Sequence, residues 1–381
     1  AAAIGSWTAG TSAAIVVGPP VGGFLVDMLS WRVIFALNVP IVLVCLALIA
    51  RAVPDCPGDG DRRIDLPGAL LCALGFGGPV YALIQQPLLG WSDPQTWVPL
   101  LGGIGALAAF VAYERRVPDP MLPLAVFRSR NFAVGNIVTL LVYAGLGAAT
   151  FFVVIFLQQM AGYSALQAGL ALTPVTLLMI ALSRRFGALS AQIGPRLVMG
   201  AGPLVAGAGL LAFARLDERA DYLSQVLPAV LLFGLGMAMT VAPLTATVLE
   251  AADRHHAGIA SGVNNAVARV AGLLAIAALG AVVSAQFASR IDTRLPERAL
   301  GPDARAYRQE ALSRPLSVPR RAAPATVRAQ VRAANVEAFG TGMLVAGGLM
   351  IAGGLIAFAG IENPRRRPAE HVEVRAASAR T

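Results

Sequence analysis

Proton relay inside a membrane needs a carboxylate whose protonation follows its surroundings. The acidic residues of this chain sit instead at the margins of apolar runs. Asp27, Asp65, Asp93, Glu114, Asp217, Glu250, Asp253 and Glu362 all fall at or beyond run ends. One charge does lie well inside a run: Arg269, within 258–287. An ionisable group at that depth points to function by default. The run is also longer than a bilayer requires, so the arginine can reach the interface along its own stem. Gating or substrate contact and snorkelling therefore stand side by side. Thr11, Ser12, Asn38, Tyr143, Gln158 and Asn264 are the polar or aromatic side chains suited to line a central cavity, or else to bond helix to helix.

Other chemistries fare worse. The stretch from Asp55 to Asp65 clusters aspartates, a pattern that can hold magnesium-bound pyrophosphate beside a membrane. A second such loop is missing, and its glycines and prolines suit a linker, with Asp65 capping the helix that begins at Leu66-Pro67. His255-His256 has no nearby ligand partners, and Cys45, Cys56 and Cys72 lack metal-like spacing. No enzyme and no metal site is expected. A different signal lies near the start. Gly10, Ala14, Gly18 and Gly22 repeat every four residues and line one helix face with small side chains, letting a neighbour approach closely. Inside that seam, Pro19 and Pro20 remove helical hydrogen bonds and kink the span, which suits a mobile gate or a tight bundle seam.

The elements that must position these residues are membrane helices. Of 381 residues, 56% are hydrophobic and 13% charged, and mean hydropathy is +0.68. An ordinary soluble domain carries roughly a quarter charged residues, so that class is excluded. A span needs about 20 apolar residues, and the long runs do not alternate as barrel strands would. Spans are expected at 2–26, 32–51, 66–86, 96–113, 132–157, 167–183, 197–214, 223–249, 258–287 and 337–361, an all-α polytopic membrane protein with about ten crossings.

The net charge of +9 comes from arginine, since the chain has no lysine, and it reads as topology rather than nucleic-acid binding. One alternating set of loops holds Arg51, Arg62, Arg63, Arg115, Arg116, Arg128, Arg130, Arg184, Arg185, Arg196, Arg254 and the tail arginines; the short loops of the other set hold Arg32, Arg215 and Arg219. The first set is expected to be cytoplasmic. Residues 288–336 dissent, with ten arginines on the outer side by parity. They read as short amphipathic helices near 303–313 and 324–338 in a solvated excursion, with a lid or partner site as the alternative. The tail from 362 to 381 reads as disordered and cytoplasmic. Because the chain opens at Ala1 inside an apolar run, with no Met and no charged leader, an N-terminal part is expected to be missing.

The segment Gly18-Pro19-Pro20-Val21-Gly22-Gly23, followed by Asp27, Trp31-Arg32, Ile34-Phe35, Asn38 and Pro40, resembles the antiporter motif of the 14-span drug:proton antiporters in the major facilitator superfamily. Tyr113-Glu114-Arg115-Arg116 with Leu122-Pro123-Leu124, Leu157-Gln158-Gln159 with Gly162-Tyr163-Ser164, and Ala260-Ser261-Gly262-Val263-Asn264-Asn265 with Arg269 continue it in order. The resemblance implies the major facilitator fold, with the ten spans equivalent to the family's fifth to fourteenth. Residues 1–51 would end the N-terminal bundle, 52–130 would carry an extra helix pair, and 131–361 would form the C-terminal six-helix bundle with an extracellular loop at 288–336. It implies a proton-driven exporter of drug-like or amphiphilic molecules in the cell membrane, powered by the proton gradient without a cofactor. Its partners would be a small-molecule substrate, protons and lipid, with periplasmic or membrane protein partners left open. An importer of the same fold or an inactive truncated protein are the alternatives. Gly18, Pro19, Pro20, Gly22 and Gly23 would form the gate, and Gly187, Gly194 and Arg196 an echo of the family's cytoplasmic loop. There Ala191 and Gln192 replace an acidic and a basic residue, and the arginines are expected to face lipid headgroups. The coupling carboxylates would lie in helices preceding this chain.

Overall fold

The computed structural model describes residues 18, 20–52, 65–118, 120–252 and 257–363. Thr11, Ser12, Pro19, Cys56, His255-His256, most of the aspartate-rich loop and the tail from 364 lie outside the described residues, as does most of the expected first span. Every regular element among the described residues is helical.

A helix across 20–28 (α1) is followed by α2 (Trp31–Ala52), α3 (Leu66–Leu89), α4 (Pro94–Glu114), α5 (Arg130–Gln159), α6 (Ala165–Ile193), α7 (Pro195–Phe213), α8 (Tyr222–Glu250), α9 (Ala257–Arg294), α10 (Pro302–Ser313) and α11 (Ala325–Gly360). Among the described residues, nine of these are long and apolar enough to cross a membrane, and they coincide with the nine spans expected from Arg32 onward. Their starts follow local chemistry. Asp65 Oδ1 accepts from the Gly68 N–H at 2.9 Å and Asp93 Oδ1 from the Gln95 N–H at 2.8 Å, each with proline in the first helical turn, where its missing N–H costs nothing.

The contiguous buried core runs from Phe132 to Ile361. Here α7 packs on α8 and α11, and α6 on α8, while α9 and α11 pack on α5. Small residues set these distances, because lipid offers no hydrophobic drive for helix association. A Cβ on Gly236 would lie 2.2 Å from the Ala206 backbone nitrogen, and one on Gly354 2.7 Å from the Gly200 carbonyl. The hairpin of α3 and α4 packs on α9. No residue of α2 is buried, and its outward leucines and valines suit lipid.

The segment 288–336 departs from expectation. It is folded rather than a solvated excursion. At 38 and 36 residues, α9 and α11 run about 57 and 54 Å at 1.5 Å per residue, well past a core of about 30 Å. The helix expected at 303–313 is present as α10, but the one expected at 324–338 is the first stretch of α11. Ala304, Tyr307 and Ala311 of α10 are buried together with Leu316, Val331 and Ala334. Leu316 takes a positive φ of 61°, and its N–H donates to Asn335 Oδ1 at 2.8 Å. Four of the ten arginines are ion-paired, Arg290 and Arg294 with Glu337, Arg308 with Asp292 and Glu297, and Arg321 with Glu310, while Arg305 donates to the Glu297 carbonyl. Internal pairing gives these arginines a structural role apart from marking topology.

Candidate functional site

A cavity of about 620 Å³ opens between α5, α8 and α9. The α9 wall consists of two adjacent rows at four-residue spacing, Ser261, Asn265, Arg269 and Leu273 beside Asn264, Ala268, Gly272 and Ile276, which is one helix face. Tyr143 and Thr150 come from α5 and Thr245 from α8. The cavity thus mixes apolar lining from Leu146, Leu249, Leu273 and Ile276 with a few polar groups, the usual build of a small-molecule site. Two details shape it. The Thr139 hydroxyl lies 2.8 Å from Asn264 Oδ1, a buried side-chain hydrogen bond tying α5 to α9. A Cβ on Gly147 would come 2.7 Å from the Gly272 Cα, so the two helices cross at a pair of glycines. Just beyond, α5 widens into a π-helical turn at Ala149–Val153, a feature common at functional sites. There the Thr150 hydroxyl turns back to the Leu146 carbonyl at 2.9 Å.

Of the cavity candidates in the sequence, Tyr143, Asn264 and Arg269 meet here. Arg269 has no ion pair among the described residues, and its side chain lines the cavity wall. Gln158 does not join them. It lies about 22 Å further along α5, at 1.5 Å per residue. Asn38 is exposed on α2 and donates to its own Ile34 carbonyl at 3.2 Å. Thr150, Thr245 and Ser261 were not singled out as cavity residues. Only Ser261 carried a signal, its place beside Asn264.

At the opposite end the motif helix α1 meets α6. A Cβ on Gly23 would lie 2.6 Å from the Leu166 Cα and 2.7 Å from the Ala165 carbonyl, whereas Gly18 and Gly22 have open space around them. Pro20 is half-buried. Asp27, one turn beyond Gly23, accepts from the Leu166 N–H at 2.8 Å and the Ala165 N–H at 3.1 Å. The Gln167 N–H is taken by Ser164 in a capping box. The first three N–H groups of α6, orphaned in any helix, are therefore all satisfied, two of them by another helix. The hydrogen bond from Leu166, then those from Ser164 and Ala165, hold the Asp27 carboxyl below the usual carboxylate range.

The arginine-rich end is built around the C-terminus of α11. Arg130 donates to the Gly360 and Ala359 carbonyls at 2.9 and 3.2 Å and pairs with Glu362 at 2.9 Å. Asn131 and Glu362 exchange two hydrogen bonds. Arg196 Nε donates to the Phe358 carbonyl, and its N–H to Asn363 Oδ1 at 3.1 Å. Gly194 takes a φ of 94° with Asn363 packed where its Cβ would be. Arg196 thus departs from the lipid-facing expectation: it satisfies a helix C-terminus and its partial negative charge. Arg184 and Arg185 are exposed. Gly187 faces Ala242 across α6 and α8 and lines a cavity of about 270 Å³ with Ser190, Thr247 and Glu250.

A family model described as Major Facilitator Superfamily matches residues 1–276. The chain belongs to the Major Facilitator Superfamily. Its similarity to named resistance and export proteins is extensive. It is 34% identical over 300 residues to the multidrug resistance protein Stp of Mycobacterium tuberculosis, covering 79% of this chain and 55% of that protein. It is 30% identical over 297 residues to the tetracenomycin C resistance and export protein of Streptomyces glaucescens, covering 78% and 54%. A puromycin resistance protein of Streptomyces alboniger is 34% identical over 284 residues, covering 74% and 56%. This superfamily chain spans about half the length of these curated relatives.

Proposed function

We propose that the chain is part of a secondary transporter that exports drug-like or amphiphilic molecules across the cell membrane in exchange for protons. Residues 131–361 act as one bundle and 1–51 as the end of the other, with 52–130 adding a helix pair, an arrangement equivalent to spans 5–14 of a 14-span protein. The observation that carries this reading is the cavity along Tyr143, Asn264 and Arg269, taken with its position relative to the α1–α6 contact. The cavity reaches toward the arginine-rich, cytoplasmic end, while Gly23 and Asp27 hold α1 against α6 at the outer end. In this reading the α1–α6 contact closes the outer side and the cavity serves the inner one, one half of alternating access. The names of the relatives supply the direction and the substrate class.

Gly18, Pro19, Pro20, Gly22 and Gly23 serve as the gate helix, whose close approach is made at Gly23. Gly187, Gly194 and Arg196 organise the cytoplasmic end. The proton gradient supplies the energy without a cofactor, and substrate, protons and lipid are the partners. The test is efflux of a fluorescent cationic dye from cells expressing the full-length gene. Dye accumulation falls on expression and recovers when a protonophore collapses the gradient. Accumulation unchanged by expression defeats the reading.

A further inference from the structure

The α3–α4 hairpin ends, on the arginine-rich side, in two carboxyl groups that face each other. Asp65 caps α3 through Oδ1. Glu114 closes α4 and is 3% exposed; its Oε2 accepts from the Leu122 N–H at 3.0 Å, which folds the following chain back over it. Each carboxyl keeps a second oxygen, Asp65 Oδ2 and Glu114 Oε1, that is buried and has no hydrogen-bond partner among the described residues. These two oxygens are neighbours. A Cβ on Gly68 would lie 2.2 Å from the first and 2.9 Å from the second, so the missing methyl of Gly68 marks the space they share.

Two ionised carboxylates in such a place repel each other and leave two buried acceptors unsatisfied, both unfavourable. Among the described residues, the groups around them do not supply a counter-charge. The Tyr113 hydroxyl interacts with Asp65 and the Cys72 thiol lies near Glu114, and neither is a cation. Arg115 and Arg116 are exposed and unpaired with either carboxyl. On α9, against which α3 packs, Arg290 and Arg294 are engaged with Glu337 and Arg269 lines the cavity. Arg62 and Arg63 lie outside the described residues. A single proton resolves both defects at once. The neutral carboxyl donates to the free oxygen of its ionised partner, a short charge-assisted bond, and the pair carries one negative charge instead of two.

We propose that Asp65 and Glu114 hold one proton between them, a protonation site at the cytoplasmic end of the extra helix pair and separate from the cavity. Losing that proton places two like charges between the ends of α3 and α4. Because α3 packs on α9, the helix that carries Asn264 and Arg269, the site is positioned to transmit its state to the cavity wall. Occupancy by a proton does not depend on the transport reading and is measured without substrate.

The test is infrared difference spectroscopy of the purified full-length protein in lipid nanodiscs, between about pH 6 and about pH 9. Solvated aspartate and glutamate, with ordinary values of about 3.9 and 4.3, are ionised throughout that range. The expected spectrum contains a protonated-carboxyl C=O stretching band with the amplitude of one group, lost at the alkaline end. The band disappears in Glu114→Gln. It also disappears in Asp65→Asn, although Glu114 remains, because the amide donates to Glu114 and leaves it ionised. Asparagine caps helices as well as aspartate does, so Asp65→Asn is expected to fold. Absence of the band in the wild type, at low or high sodium, overturns the proposal in favour of two ionised groups held by a cation. Persistence of the band in both variants assigns it elsewhere and overturns the proposal equally.

Discussion

Gly23→Ala is the sharpest perturbation of the outer contact. The added methyl would sit 2.6 Å from the Leu166 Cα and 2.7 Å from the Ala165 carbonyl oxygen, both backbone atoms that cannot rotate away. Non-bonded carbon atoms settle at about 3.5–4.0 Å, so α1 and α6 must part by about 1 Å for the side chain to fit. Overpacking of this kind costs about 1–3 kcal/mol. Where the cost falls only on the outward-closed state, it shifts the equilibrium toward outer opening by a factor of about 5–150. Gly22→Ala is the built-in control, because nothing lies within 4 Å of its added Cβ. The assay is pulsed electron–electron distance measurement in the full-length protein with Cys45, Cys56 and Cys72 replaced. Spin labels are placed at Met28→Cys and Leu223→Cys, both highly exposed positions at the α1–α6 end. Gly23→Ala populates the longer distance and Gly22→Ala does not. Identical distributions in the two variants and the parent refute the reasoning, as does a fall in melting temperature with no change in distance.

Asp27 makes the same contact sensitive to acid alone. Its folded value is lowered, so its contribution is fully present above the unfolded value of about 3.9 and fades as pH falls through the lower folded value. The spin-label distance therefore stays constant from about pH 5 to 8, whereas Asp27→Ala lengthens it throughout. In the cavity, Asn264→Leu removes one buried hydrogen bond with Thr139, worth about 1 kcal/mol, and Arg269→Gln removes the charge from the wall. Both variants weaken dye efflux while expression and melting change little. In the outer segment, Tyr307→Ala costs that folded unit about 3–5 kcal/mol, and protease added outside intact cells cleaves between 300 and 325 far faster than in the parent.

The nine spans from α2 to α11 were legible because membrane helices announce themselves as long uninterrupted apolar runs, and the start of α3 through Asp65 and the proline after it. The extensions of α9 and α11 were not. Outside lipid a helix needs only one apolar stripe, and Val327, Val331 and Ala334 between arginines look like a solvated surface until α10 covers them. Gly18, Gly22 and Gly23 carried equal weight in the motif, and only the approach of α6 singles out Gly23. Tyr143, Asn264 and Arg269 stood out by type, but their convergence depends on the crossing of Gly147 and Gly272, two glycines more than a hundred positions apart. Glu114 looked like an ordinary residue at a span end. Its burial comes from Leu122 folding back and from Gly68 leaving room, neither of which a local pattern records.

The central claim, proton-coupled export through this bundle, is tested most directly with the purified full-length protein in proteoliposomes carrying an internal pH-sensitive dye. With the cytoplasmic face outward and an acid interior, added substrate enters the vesicles and the interior alkalinises in step. Gly23→Leu and Arg269→Gln slow both movements together. Substrate entry that proceeds equally without a pH gradient, or a pH change that ignores substrate, would contradict the account.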